Sequence, residues 1–486
     1  MKKRSIWIYA TASLTIAAAL AGCGNETYFA GRVLPPSGLL NRVLIAVQNP
    51  SPFSKGALPF VDAYYDVRSG YNGKPASFTI GGYAAALPIT IQNMPEETAA
   101  YVYGYGDGSF DPINYAKEST NGNIGGLNGL SASIFITRNQ SYVFAADQGA
   151  HVLTVVDNTN GGSYPLSLPG VYRVSVNPGG SVAFAFVQNS NYMYYPRKLT
   201  AAQTTAFSGG PSTWPKAAED CEPQNLPGWC LFQAQSPDHV DSTGNYYGAP
   251  LVFDRPIKAV FSSDGGTAYV LNCGPECGGN KASVTPLPIA PMIFLIGQQS
   301  GTLPTNAALA SSTIPIPGGA SNALVDTSTM YVAGQQPQQV QGQTLFAGEL
   351  TVVNLTNDTA SKPIAISDGA PGAVSRMVEG DDNTLWIGMT KCTNGVRAAT
   401  GLPFGCLTMY NTSSNTVTTI LPYIGDATGI ASITGLHKVY SAQGGQVYIN
   451  STVDGSTIDN QYVTVTGTAY DVAYMDALSD TDNTVY

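Results

Sequence analysis

Residues able to do chemistry are few in this 486-residue chain, beginning with three histidines, His151, His239 and His437. Histidine titrates near neutral pH and is therefore the usual general acid, general base or metal ligand. His151 opens a predicted strand, His239 lies in a long loop and His437 precedes a strand, so surface or hydrogen-bonded histidines are the plainer reading. Gly129-Leu-Ser-Ala-Ser133 approaches a nucleophile elbow but fails at its last position. There is no Gly-x4-Gly-Lys-Ser/Thr phosphate loop, no His-Glu-x-x-His and no Cys-x-x-Cys-His. Gly104-Tyr-Gly-Asp-Gly108 lacks the dinucleotide spacing and reads as a turn. No catalytic residue and no cofactor is expected.

Two acidic turns, Glu379-Gly-Asp-Asp-Asn383 and Asp480-Thr-Asp-Asn483, carry the oxygen ligands that calcium prefers, although Asx-rich hairpin turns look the same. Of seven cysteines, six fall into sequence-local pairs, Cys221 with Cys230, Cys273 with Cys277 and Cys392 with Cys406. In an exported chain these read as disulfides, and closeness alone selects that connectivity. Closing the Cys392–Cys406 loop would contribute about 3 kcal/mol by constraining the unfolded chain. Zinc is the rival reading, but the pairs lie on separate repeats and none has a histidine nearby. Trp214, Trp229, Phe232, Tyr246 and Tyr247 cluster in a stretch from Thr200 to Pro250 that is long and rich in Pro, Ser and Gly. Flat aromatic faces in a pinned loop stack on sugars or anchor a protein partner, so this insertion is the recognition candidate. The alternative is that the rings pack the loop onto the body of the protein.

These residues must be positioned by β-structure. From Leu130 to Pro169 the chain reads as four short runs of β-branched and aromatic residues separated by Asn, Asp, Gly and Gln turns. Similar units recur about every 40–50 residues, the period of propeller blades. Counting them gives an all-β propeller of eight four-stranded antiparallel blades, with seven as the main alternative because the second unit is weak and the insertion could hide strands. The first unit, from Arg42, lacks an opening strand, and Tyr470-Asp-Val-Ala-Tyr474 at the other end is an opening strand without a unit. Pairing the two would complete one blade and close the ring, leaving no open edge. An enzyme on such a ring should gather His, Glu, Asp or Arg at the inner ends of several blades, whereas small and hydroxyl residues around an open channel suit a binding scaffold.

The N-terminus is expected to lie outside this fold. Lys2, Lys3 and Arg4 precede an apolar run from Ile6 to Leu20, a secretory signal too short for a spanning helix. The domain reading is a signal at 1–22, a tether at 23–38 and a propeller at 39–486 with its insertion at about 200–250. Loss of the signal leaves 19 basic against 32 acidic residues, and this acidic balance without a basic run argues against nucleic acid.

Two resemblances sharpen this reading. Leu20-Ala-Gly-Cys23 resembles the lipobox of bacterial lipoproteins, which implies cleavage before Cys23 and lipidation of its thiol and amine by acyl chains, palmitate among them. Each buried CH₂ of those chains would contribute about 0.8 kcal/mol to membrane anchoring. Gly24 rather than Asp after the cysteine implies the outer membrane of a Gram-negative envelope. Tyr142-Val-Phe and Leu153-Thr-Val-Val-Asp-Asn-Thr-Asn160 resemble the Tyr-Val-Thr-Asn (YVTN) family of β-propeller repeats, with looser matches at Ala268–Leu271 and Leu350–Asn354. Spacing departs from that family, and several units lack the final Asn. The repeat resemblance implies the fold, in a family that mixes binding proteins with a few enzymes. With few histidines and no recognisable catalytic set, the reading is a lipid-anchored binding scaffold for protein or glycan, with a lactonase-like hydrolase working at the central channel as the alternative.

Overall fold

Alternation of apolar and polar residues resolves into strands whose burial depends on their place in the blade. In the third blade the second strand, Tyr142–Asp147, is buried throughout, because neighbouring blades cover both of its faces. Its outer strand, Gly162–Ser167, lies at the rim and alternates buried and exposed positions. Hairpins turn where the sequence supplies the residues for it. Gly265 takes φ +68° within Ser262–Thr267, its amide bonds the Ser262 carbonyl at 2.8 Å, and the Asp264 carboxylate accepts from the Ser262 hydroxyl.

The computed structural model describes residues 34–478 apart from 50, 52–53, 69, 71–76, 224–226, 242–245, 290–292, 297–311, 341, 368–371, 392–403 and 423–424. It is a β-propeller of eight antiparallel blades. Inner strands of blades 2 to 8 are Pro88–Met94, Ser131–Ile136, Val171–Val176, Pro256–Phe261, Asn322–Asp326, Ala373–Gly380 and Ala427–Ile433. Blade 1 takes its inner strand, Thr468–Tyr474, from the end of the chain and pairs it with Arg42–Gln48, in the register Val43–Tyr474 and Leu44–Ala473. Eight expected units and the expected closure are thus present.

Between the blades lies the core, in eight clusters, one at each interface. Val43, Ile45 and Val472 of blade 1 meet Ile433 and Tyr440 of blade 8, while Leu44 and Phe60 meet Ile91 and Val102 of blade 2. Burial on both faces of every sheet is what holds this ring, at about 25 cal/mol for each Å² of apolar surface removed from water.

The insertion is less separate from the ring than its composition suggests. It opens with a helix, Ala201–Phe207, capped by Thr200 and Gln203, and then supplies two strands to blade 4. Trp229–Gln233 pairs with Met193–Lys198 as the fourth strand, and Ala218–Glu222 adds a fifth. Blade 6 departs from the pattern in the other direction. Its middle strands, Thr329–Val340 and Gln343–Asn354, run on past the blade as a twisted ribbon.

A buried ion network locks the closure. The Arg42 guanidinium donates to Asp476 Oδ1 at 2.7 Å and Oδ2 at 3.0 Å, to Glu118 Oε1 at 2.9 Å and to the Tyr115 carbonyl at 2.7 Å. Glu118 also accepts from the Ser37 amide and hydroxyl, so residues expected to be tether are drawn into the fold. Burial alone would lower the Arg42 pKa, but the two carboxylates outweigh it and raise it. Removing one partner from a buried network leaves the other charges uncompensated, so Arg42→Met is expected to lose about 3–5 kcal/mol of stability in chemical denaturation. The double variant Arg42→Met/Asp476→Asn should recover part of that loss; no recovery would mean that the charges are not coupled.

Candidate functional site

The expected recognition residues are largely taken up by the core. Trp229 is 0% exposed, wedged between blades 3 and 4 against Tyr142, Phe144 and Tyr164, with its indole N–H donating to Asp157 Oδ2 at 3.3 Å. Phe232 is buried, stacked on Tyr195 with Arg197 over its face. Trp214, Tyr246 and Tyr247 are half-buried; Trp214 and Tyr246 pack on the cluster between blades 4 and 5, and Lys216 sits over the Tyr247 ring. The insertion therefore serves mainly as blade structure, and its free aromatic surface is small.

The histidines stay apart. His151 is an exposed turn residue of blade 3 with φ +59°, and exposed His239 packs its ring near Tyr247. His437 pairs with Asp382 through Nδ1 at 2.9 Å, a bond that raises its pKa. The Glu379–Asn383 turn is committed to joining blades 7 and 8. Asp381 accepts from the Gly435 and His437 amides, and Asp382 from the Thr452 hydroxyl. Among the described residues no group of His, Cys, Asp or Glu has the arrangement of a metal site. The Asp480–Asn483 turn lies outside the described residues, as does Cys23. Disulfides Cys221–Cys230 and Cys273–Cys277 are formed, with Cα atoms 4.0 and 5.6 Å apart. Cys406 is also disulfide-bonded, while its expected partner Cys392 lies outside the described residues.

Chemistry converges instead on the axis. In seven of the eight blades the inner strand carries a β-bulge near its start, the extra residues being Ile89, Ala132, Tyr172, Ile257, Ser375, Thr428 and Tyr470. A bulge re-aims the side chain that follows it. Those followers, taken from blade 1 to blade 8 with unbulged blade 6 omitted, are Asp471, Thr90, Ser133, Arg173, Lys258, Arg376 and Gly429.

Arg376 of blade 7 donates through a terminal nitrogen to Asp471 Oδ2 of blade 1 at 2.6 Å, past the whole of blade 8. Gly429 stands between them. A Cβ there would lie 2.6 Å from the Asp471 Cα and Oδ1, so bare backbone leaves that carboxylate open to the arginine. Asp471 also accepts from the Ile91 amide of blade 2; its burial raises its pKa, and Arg376 offsets part of the rise. Lys258 donates from Nζ to Asn322 Oδ1 of blade 6 at 2.8 Å. Arg173 makes no hydrogen bond or ion pair among the described residues and lies 5.8 Å from the Tyr172 ring. Burial pushes the Lys258 ammonium down to about 7, with Arg173 and Arg376 adding like-charge repulsion. Only groups that approach one another across the channel repel in this way, since Lys258 and Arg376 are two blades apart. Half-buried by surface, Lys258 has its amine held between blades 5 and 6 by the Asn322 bond. A shallow cleft of about 420 Å³ at the opposite ends of blades 3 to 5, lined by Asn177–Gly179, Ser181 and Ser263–Gly266 among others, is built mainly of hairpin turns and contains no comparable convergence.

None of these axial residues was singled out from the sequence. A signal is nevertheless present in the sequence: Tyr172-Arg-Val, Ile257-Lys-Ala, Ser375-Arg-Met and Tyr470-Asp-Val each place one charge next to an aromatic, apolar or hydroxyl residue at the same register of a strand. The expected test of the channel thus returns a mixed lining, hydroxyl and small residues together with three cations and one carboxylate.

No protein-family model matches the sequence, and no curated protein does either. Solved structures do match, and they are propeller-like in fold. The dihydro-haem d1 dehydrogenase NirN aligns at 10% identity over 90% of this chain and 75% of its own, with a TM-score of 0.50. Hydrazine synthase of Kuenenia stuttgartiensis aligns at 12% identity over 79% of this chain and 100% of its own, TM-score 0.46. BamB of Moraxella catarrhalis aligns at 11% identity over 79% and 89%, TM-score 0.42. Likeness at this identity speaks for the fold alone. The class defined by fold and axis together is an eight-bladed β-propeller with a charged channel.

Lys258 should impose a measurable pH dependence. Its pKa is lower in the folded chain than the ordinary value near 10.5, so between pH 7 and 10.5 the unfolded chain binds the extra proton and stability rises with pH. Below about 7 the full penalty of the buried charge is present. Lys258→Met is therefore expected to melt about 2 °C or more above the unaltered protein at pH 6, with the gain shrinking towards pH 10. A lower melting temperature at both pH values would show that the ammonium is not a strained charge.

Proposed function

We propose that this chain is a lipid-anchored, extracytoplasmic β-propeller with YVTN-type repeats that acts as a binding scaffold for a protein partner, tethered through Cys23 to the outer membrane. The observation that carries the scaffold reading is the ribbon of blade 6. From the Gln336–Ala347 pair to the Val340–Gln343 pair the two strands are paired, among the described residues, only with each other. Both edges of such a ribbon offer backbone N–H and C=O groups, the surface on which an extended segment of another chain adds as a strand. Its base is braced rather than loose. Gln335 donates to Glu276 Oε1 at 2.6 Å from its side chain and to Oε2 at 3.1 Å from its amide, and accepts from the Gly372 amide at 2.9 Å. The Cys273–Cys277 disulfide pins the turn that carries Glu276. Burial of Trp229 and Phe232 removes stacking faces that a glycan would need, which favours protein over glycan.

A second reading, a lactonase-like hydrolase at the channel, has one observation in its favour. Lys258 is partly neutral at pH 7, the state in which an amine serves as a base. No helix among the described residues is long and apolar enough to cross a membrane, so the proposed anchoring rests on the Cys23 lipobox.

Two experiments test the proposal. A photo-crosslinking residue at Gln339, on the ribbon, should give a defined adduct in native membranes, and one at exposed Thr356, at the opposite end of the same blade, should not. Adducts from both positions, or none from Gln339, overturn the scaffold reading. In detergent phase separation the unaltered chain should enter the detergent phase and Cys23→Ala should stay in the aqueous phase; equal partition overturns lipid anchoring.

A further inference from the structure

The axial ring holds more positive charge than its own structure uses. Arg376 is satisfied on one side by Asp471, but the structure gives its remaining N–H groups no partner among the described residues. Lys258 gives one of its three N–H groups to Asn322. Arg173 gives none among the described residues, although it is only partly exposed. Buried or half-buried guanidinium and ammonium groups ordinarily find acceptors, because leaving them unpaired costs more than most single contacts return. Here the three arrive from blades 4, 5 and 7 at equivalent positions, each re-aimed by a bulge. Nothing in the inter-blade core requires them, since other blades place Thr90, Ser133 or Gly429 at the same position. The remaining charged and phenolic groups nearby are Asp471, held by Arg376, Glu276, held by Gln335 and within electrostatic reach of Arg173, and Tyr105, Tyr172 and Tyr470. The chain as a whole is strongly acidic, so this concentration of positive charge runs against its surroundings.

We propose that the axial channel is a binding site for a small oxyanion, a carboxylate or phosphoryl compound, held by the guanidinium groups of Arg173 and Arg376 and the ammonium of Lys258. Planar guanidinium forks match the paired oxygens of such groups, and the lysine supplies a compact charge between them. Asp471 holds Arg376 in place from one side and leaves its other edge to the ligand. The bound anion would relieve the mutual repulsion of the three cations, so binding stabilises the ring. This site is independent of the ribbon and stands or falls separately from the scaffold reading.

The test uses the whole folded chain with inorganic phosphate and with citrate as separate probes, in thermal melting and titration calorimetry against sodium chloride of matched ionic strength. At least one probe should raise the melting temperature and give a saturable isotherm. Arg173→Met and Lys258→Met should each weaken that binding by about tenfold or more, the loss expected for a hydrogen bond to a charged group. Lys117→Met, which removes an exposed cation of blade 2, should leave it unchanged. Arg173 makes no hydrogen bond or ion pair among the described residues and burial disfavours the Lys258 charge, so both channel variants should fold much as the unaltered chain does, and lost binding is not lost structure. Response to phosphate alone assigns a phosphoryl ligand, and response to citrate alone a carboxylate. Absence of saturable binding with both probes, or binding that survives both channel substitutions, overturns the proposal.

Discussion

Everything in this molecule depends on the pairing of Thr468–Tyr474 with Arg42–Gln48. A propeller has no central core; its apolar surface is buried only between one blade and the next, in eight separate patches. Were the last strand absent, blade 1 would lose its inner edge, and the patches it shares with blades 8 and 2 would open to water. Covalent order places the two strands more than four hundred residues apart, so closing the loop costs entropy that only the completed ring returns. Arg42, Asp476 and Glu118 sit at this seam and lie buried together. Their network adds direction to the hydrophobic contacts, because only one register brings both carboxylates to the guanidinium.

Ring closure also creates the axis, and with it the site. Inner strands that are remote in sequence become neighbours around one channel. The bulge repeated near their starts then turns a chosen side chain towards it. Blades 2 and 3 place the hydroxyl residues Thr90 and Ser133 at that position, and blade 1 the carboxylate of Asp471. Three blades place a cation there, and blade 8 places Gly429, whose missing side chain lets Arg376 reach Asp471. Charge has been collected at the one place where every blade contributes, and burial there, with repulsion from Arg173 and Arg376 added to it, lowers the Lys258 pKa.

Much of the fold was legible beforehand. Strand-forming runs, turn residues and their recurrence identify eight blades, and the mismatch between a unit without an opening strand and a strand without a unit identifies the closure. Two of the proposed disulfides follow from spacing because antiparallel neighbours such as Cys221 and Cys230 face each other across a short hairpin. Less legible was the insertion after Thr200. Its aromatic residues look like recognition elements on paper, but Trp229 and Phe232 belong to a strand, and a large ring on a strand between two blades is core. Composition describes what a segment contains; pairing decides which side of the sheet it faces.

The sequence by itself determined the repeat, the antiparallel blades, the likeness of the N-terminus to a lipoprotein signal and the acidity of the chain, because these follow from local periodicity, local motifs and sums over residues. Tertiary structure alone decided which charges meet. Arg173, Lys258, Arg376 and Asp471 lie in four different repeats, and no local rule links them. Only closure of the ring, with its bulges setting the aim of each inner strand, carries them to a common axis.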